Sequence, residues 1–314
     1  MQTAKEARVV RHEFWRLQYR NNRYMEFLSQ EELEERIKNI FTNITILSPM
    51  GQISLPEMQN GGEYWMVKFT HALEEMQFRY GPYPNGFTNG FIKSAEIVKP
   101  TYPETPKAKE VIDNIGGLKP NQLYKFGKYE HISKMLTNGE IRIVPASFYN
   151  DPSLNKAIRD DELTFKVQSR ADGLDMKDQA GNKISTFGKV EFTVRSRTNH
   201  YVHCFAANYT LREFDDFDAD SCLIIEQPRL FISKIMKSVR KKKSDLEGFA
   251  SHVKYLDPLT CSPHEIDIFL AKHFKYSYQN EYRAIWMPKV PVDILEPFFI
   301  NIGSMAGYSK IVLI

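Results

Sequence analysis

Three polar residues spaced two apart, Gln279, Glu281 and Arg283, stand in the segment Tyr278-Gln279-Asn280-Glu281-Tyr282-Arg283. On a strand, residues two apart project to the same face, so the three form one polar row while Tyr282 and Ala284 face the other way. The apolar run Ala284-Ile285-Trp286-Met287 follows directly, which predicts a central strand. A polar row on a central strand either lines a cleft or closes on itself as a structural ion pair, and the residues alone leave both readings open.

Two further stretches carry chemistry-bearing groups. Pro145-Ala146-Ser147-Phe148-Tyr149-Asn150-Asp151-Pro152 follows a predicted strand. It reads as an Asx-type turn or as a ligand-binding loop, because Asn and Asp before Pro favour turns. Val239-Arg240-Lys241-Lys242-Lys243, preceded by Lys234 and Lys237, is a basic run. It reads as the solvated end of a helix or as a phosphate-contacting patch in which Arg240, Lys241, Lys242 and Lys243 bind nucleic acid. Other motifs fail. Asp216-x-Asp218-x-Asp220 lacks the Gly and the closing Glu of a calcium loop. Cys261-x-x-His264 has no second ligand pair at a supporting distance, so no metal is expected. No Gly-rich phosphate loop and no nucleophile elbow occur.

Around these stretches the spacing predicts elements. Ser29-Gln30-Glu31-Glu32 is a capping-box pattern, followed by Leu33, Ile37, Ile40 and Phe41 on one helical face. Helices are also expected from about Lys5 to Arg20, from Gly62 to Phe78, from His131 to Leu136 and between Ile232 and Phe249. Strands are expected at Leu123–Phe126, Glu140–Val144, Val190–Val194, Tyr201–Ala206, Cys222–Ile225, His252–Tyr255, Tyr282–Trp286 and Ile311–Ile314. Asp172 to Lys183 reads as a loop. Pro100, Pro103 and Pro106, then Gly116-Gly117, mark an extended connector. The expected organisation is a mainly helical region at 1–98, a connector at 99–120 and an α+β domain with mostly antiparallel strands at 121–314.

The chain has 314 residues, 42% hydrophobic and 26% charged, which suits a folded globular protein with room for two cores. Its net charge of +3 neither demands nor forbids a nucleic-acid partner. Three cysteines argue against a disulfide framework and for a reducing compartment. With no apolar run of membrane-spanning length and no apolar signal region at the N-terminus, the expected location is cytoplasmic, without a membrane partner.

In order, Leu123-Tyr124-Lys125-Phe126, Phe148-Tyr149-Asn150-Asp151-Pro152, His203-Cys204-Phe205, Val253-Lys254-Tyr255 and Glu281-Tyr282-Arg283 resemble a widespread bacterial domain family of uncharacterised function. The same plan is similar to ADP-ribosyltransferases, found among toxins and phage-defence effectors. That resemblance implies a split antiparallel β-sheet domain preceded by a helical region, with NAD as co-substrate. It implies Glu281 as the catalytic carboxylate and Gln279 as the residue that orients or holds the acceptor. Tyr124, Lys125, Ser147, Tyr149, Asn150 and Arg283 are then the NAD-contacting set; Lys125 stands where these enzymes usually hold Arg or His. The acceptor implied is RNA or DNA, with a protein acceptor as the alternative, and the N-terminal region would meet substrate, an antitoxin or a chaperone partner. Two other classes compete: a catalytically silent nucleotide-binding or interaction module, and a metal-dependent nuclease using Asp151, Asp160 and Glu162.

Overall fold

The computed structural model describes residues 4–47, 53–54, 58, 61–82, 119, 121–155, 157–171, 177–184 and 188–314. Apart from Lys119, the expected connector at 99–120 lies outside the described residues, as do the last part of the helical region beyond residue 82 and residues 172–176 of the expected loop.

Three helices open the chain: α1 at Ala4–Asn21, α2 at Gln30–Ile44 and α3 at Gly62–Tyr80, with a short antiparallel pair, β1 at Ile46–Leu47 and β2 at Ile53–Ser54, before α3. The capping box of α2 forms as its sequence predicts. The Ser29 hydroxyl accepts from the Glu32 backbone N–H, and the Glu32 carboxylate accepts from the Ser29 N–H at 2.9 Å. Two donors that the first turn leaves open are thereby satisfied. Leu33, Ile37, Ile40 and Ile44 then bury one face of α2 against Tyr19 and Met25 and against Trp65, Ala72 and Met76 of α3. Glu75 of α3, fully buried, accepts from Tyr19, Arg23 and Arg79 and ties the α1 end to α3.

The rest of the described chain is α+β. Its elements are β3 at Leu123–Gly127, α4 at Tyr129–Asn138, β4 at Glu140–Pro145, β5 at Thr164–Arg170, β6 at Lys189–Arg195, β7 at Tyr201–Ala206, α5 at Arg212–Asp216 and β8 at Ser221–Ile225. Then come α6 at Pro228–Lys242, β9 at Leu246–His252, β10 at Lys254–Leu256, β11 at Ala271–His273, β12 at Glu281–Pro288, β13 at Phe298–Asn301 and β14 at Ser309–Leu313. Gly139 stops α4 with φ 66°, and a Cβ there would lie 2.2 Å from the Gly303 carbonyl oxygen, so both the turn and the close approach need glycine.

Eight strands form one antiparallel sheet with β7 at its centre. One edge of β7 pairs with β12 along its whole length, Glu281 opposite Ala206 and Trp286 opposite Tyr201, and β9 pairs outside β12. The other edge of β7 is shared. Tyr201 and Val202 pair with β4, which carries β13. Ala206 pairs with β3, which carries β8 and then β14. Between the two contacts the sheet parts, and side chains fill the opening. The Lys125 ammonium donates to the Cys204 carbonyl at 2.9 Å, and His203 Nδ1 donates to the Arg142 carbonyl at 3.1 Å. Beside the main sheet, β5 and β6 form an antiparallel hairpin, and β10 and β11 a short parallel pair.

The two faces of β12 meet different surroundings. Ala284 and Trp286 join the main core with Phe205, Leu223 and Phe231, Ile235 and Val239 of α6. Ile285 packs on the opposite face with Ala146 and Val202, beside Cys204 and Phe269. The helix expected between Ile232 and Phe249 ends at Lys242, because Leu246–His252 is strand β9. Gly248 is what allows it to pack there, since a Cβ at that position would lie 2.4 Å from Trp286. The strand expected at His252–Tyr255 is two strands, β9 pairing with β12 and β10 with β11.

The helical region docks onto the segment that leads into β12. Arg36 of α2 makes a two-bonded fork to Asp257 at 2.9 and 2.7 Å, and Lys68 of α3 joins the same carboxylate. Asn43 donates to the Lys275 carbonyl and accepts from the Tyr278 N–H. Phe274 stacks on Trp65, ring centres 5.8 Å apart. Among the described residues no helix is long and apolar enough to cross a membrane.

Candidate functional site

Residues Phe274–Gln279 form a 3₁₀ turn, and Asn280, with φ 38°, reverses the chain into β12. The expected polar row is therefore broken. Glu281 and Arg283 share one face of β12, whereas Gln279 precedes the strand in the turn. Its amide still points inward, donating to the Ala157 carbonyl at 2.8 Å.

Glu281 sits in a closed set of four buried charges. One oxygen accepts from Arg283 Nε at 2.5 Å and the other from Lys272 Nζ at 2.6 Å. Arg283 Nη2 reaches Glu162 at 2.6 Å, and Lys272 lies 3.8 Å from Glu162. All four side chains are at most 6% exposed. Burial alone would raise the Glu281 carboxyl; Arg283 and then Lys272 outweigh it and hold it well below the usual carboxylate range. Glu162 answers differently. Burial lifts it above the usual carboxylate range, to about 7, despite Arg283 and Lys272. Burial works against charge on Lys272 and Arg283 too, and the two carboxylates reverse that and keep both cationic.

Beside this set lies a cavity of about 210 Å³, walled in part by Tyr124, Lys125 and Phe126 of β3 and by Cys204, Phe205 and Ala206 of β7. Glu281, Gln279, Lys272 and Glu162 are among its polar lining residues. Tyr124, Phe126, Phe217, Tyr149 and Phe205 make much of the remaining wall, with Lys125, Cys204 and Glu213 between them. Burial pushes the Cys204 thiol and the Tyr149 hydroxyl up, so both are neutral donors at physiological pH. Burial also lowers Lys125.

Five of the sequence-derived site residues thus converge: Tyr124, Lys125, Tyr149, Gln279 and Glu281 all line the one cavity. The others do not. Ser147 is exposed and its hydroxyl accepts from Asn199 at 2.8 Å; Asn150 is exposed at the end of the 3₁₀ turn Ala146–Asn150. The Asp151 carboxylate folds back onto Ser153, so Pro145–Pro152 closes as a turn. Arg283 stands in the NAD-contacting set that the resemblance implies, with a structural ion pair as the other reading of the residues. It is wholly buried, with its third nitrogen bonded to the Phe269 carbonyl, so it presents no donor to a ligand. Arg240 and Lys241 are exposed at the end of α6, which covers the sheet face opposite Glu281. Lys242 donates to the Phe299 carbonyl, and Lys243 lies over Tyr201 and Phe298. Among the described residues no three His, Cys, Asp or Glu side chains gather as a metal site.

Sequence reasoning missed Lys272 as a partner and Glu213 altogether. For Lys272 a signal existed: it is the only cation in the run Phe269-Leu270-Ala271-Lys272-His273-Phe274 apart from the histidine, and a lysine among buried neighbours must find a carboxylate. Glu162 entered only as one of the three acidic groups of the nuclease reading, with Asp151 and Asp160.

A second cavity, about 590 Å³, separates α2 from the α+β unit. Glu31, Glu32 and Glu35 line one side of it and Asp160 and Asp161 the other, and Lys272 lines both cavities. Comparison with known proteins brings no relative to this site: no family model matches the chain, and no curated protein and no solved structure matches it either.

Proposed function

We propose that this chain is an NAD-dependent mono-ADP-ribosyltransferase that breaks the nicotinamide–ribose bond over Glu281. The observation that carries the reading is an ionised, buried carboxylate lining a small cavity that Tyr124, Phe126, Tyr149, Phe205 and Phe217 also line. Cleavage of an N-glycosidic bond develops positive charge on the ribose, and a fixed carboxylate favours that state over the neutral ground-state ribose. Lys272 and Arg283 keep Glu281 ionised and fix both its oxygens, so no reorganisation is needed as charge develops. Nicotinamide leaves as a neutral molecule. The acceptor's nucleophile then bonds to the ribose carbon that nicotinamide left, and gives up its proton to solvent. Further support comes from the parting of β3 and β4 on the β7 edge, which is the kind of opening that a split sheet of the resembled enzymes would provide. A role as toxin or phage-defence effector rests on that resemblance alone.

For the acceptor, we favour protein over nucleic acid. The cleft that meets the cavity at Lys272 sets five carboxylates, Glu31, Glu32, Glu35, Asp160 and Asp161, against the cations Arg36, Lys166, Lys272 and Lys275, a mixed surface that suits the charged side chains of a protein better than a run of phosphates. The exposed Arg240 and Lys241 lie on the other sheet face. A second reading, a nucleotide-binding module without catalysis, is favoured by one observation: both Glu281 oxygens are already paired. Labelled NAD incubated with the protein and with RNA, DNA and protein acceptors separates these readings. Label transferred to protein supports the proposal; NAD that binds without ever being consumed supports the silent module.

A further inference from the structure

Glu213 enters the cavity from α5 and is fully buried. Neither of its carboxyl oxygens meets a partner at full hydrogen-bond geometry among the described residues; the Thr210 hydroxyl stands beside it and only partly offsets the effect of burial. Lys125 lines the same cavity but bonds to the Cys204 carbonyl instead. An acid left in this state is costly unless a ligand completes it. Burial, and after it Asp216, hold its carboxyl well above the usual range, so it carries its proton. A neutral carboxylic acid offers one donor and one acceptor side by side in a plane. The ligand group that matches both at once is a primary carboxamide, whose N–H and C=O lie side by side in the reverse order. Tyr124, Phe126 and Phe217 line the cavity with Glu213 and suit a planar ring. A ligand carboxylate mismatches the site, because it has no donor and brings a charge into it.

We propose that Glu213 determines the specificity of the cavity by pairing with the carboxamide of a nicotinamide ring and rejecting the carboxylate of its acid analogue. The identity of the ring rests on the NAD-cleaving reading of the same cavity. The preference for a carboxamide rests on Glu213.

Calorimetric titration of the full chain with nicotinamide and with nicotinate at pH 7 tests this. The wild-type protein is expected to favour nicotinamide by on the order of tenfold or more. Glu213→Gln keeps an acceptor and offers its NH₂ to a carboxylate. It is expected to retain nicotinamide and bring nicotinate within about threefold. Glu213→Leu is expected to lose nicotinamide binding and yet melt no lower than wild type, since an apolar side chain replaces an uncompleted buried acid. Equal affinity of the wild type for both ligands, no binding of nicotinamide, or an unchanged preference in Glu213→Gln overturns the proposal. So does a Glu213→Leu protein that melts much lower but still binds nicotinamide, because Glu213 is then structural. The two readings fail separately. Selection of nicotinamide through Glu213 without consumption of NAD upholds this proposal and sinks the transferase. Consumption of NAD with no dependence of selection on Glu213 does the reverse.

Discussion

Lys272 and Glu281 meet at 2.6 Å with both side chains withdrawn from water, although they stand nine positions apart in sequence with a 3₁₀ turn between them. The turn Phe274–Gln279 brings the end of β11 back to the start of β12, and α2 and α3 hold that turn from outside through Phe274 and Asn43. The helical region therefore acts on the cavity through the segment that places Glu281.

Removing one member of the buried charge set leaves the others uncompensated. Lys272→Met is expected to cost about 3–5 kcal/mol of stability in urea unfolding. Pairing it with Glu281→Leu is expected to cost clearly less than the two single losses together, because the double variant buries no lone charge in that pair. Additive losses would mean that the contact carries no coupling.

The latch between the helices and the α+β unit centres on Asp257, which Arg36 and Lys68 share. Asp257→Asn leaves two buried cations facing a neutral amide and is expected to lower stability by about 3 kcal/mol or more. Because the latch braces the turn before Glu281, nicotinamide affinity is expected to fall as well. An intact affinity in a folded but destabilised variant would show that the helices do not brace the cavity.

Two buried groups give opposite pH dependences. Burial lowers His200 to about 4, below the unfolded value of about 6.5, so its contribution to stability is present above that value and lost as pH falls toward 4. His200→Phe is expected to gain on wild type over that window by up to about 1.4 kcal/mol per pH unit. Glu162, raised to about 7, works the other way: its contribution is present below the unfolded value of about 4.3 and is lost as pH rises through 7. Glu162→Gln is expected to gain on wild type as pH rises across that range. Melting temperatures of both variants from pH 4 to 8 check the two signs.

Arg240→Ala combined with Lys241→Ala, at the exposed end of α6, is expected to leave NAD consumption within about twofold of wild type. A large loss, restored by low salt when a nucleic acid is the acceptor, would return the acceptor reading to nucleic acid.

Much of the frame was legible because its signals are local. Ser29 and Glu32 announced the start of α2, and Glu140–Val144 alternates as the strand it forms. Glu281 could be singled out because the apolar run after it marked a central strand. What stayed hidden depends on distant contacts. Gln279 looked like a strand residue, since the left-handed turn at Asn280 has no signal beyond the asparagine itself. Leu246–Phe249 looked like the tail of a basic helix, because only packing against Trp286 reveals why Gly248 stands there. Arg283 looked open to a ligand, because its partner Glu162 is 121 residues away in sequence. Glu213 lay in an acidic stretch that reads as surface, and burial is what changes its chemistry.

Release of nicotinamide from NAD by the wild-type chain and by Glu281→Gln, both measured where circular dichroism shows them folded and with a cell extract supplying acceptors, tests the central claim most directly. The account predicts release by the wild type and a loss of roughly a hundredfold or more in the variant. No release by the wild type, or equal release by the two proteins, would contradict it.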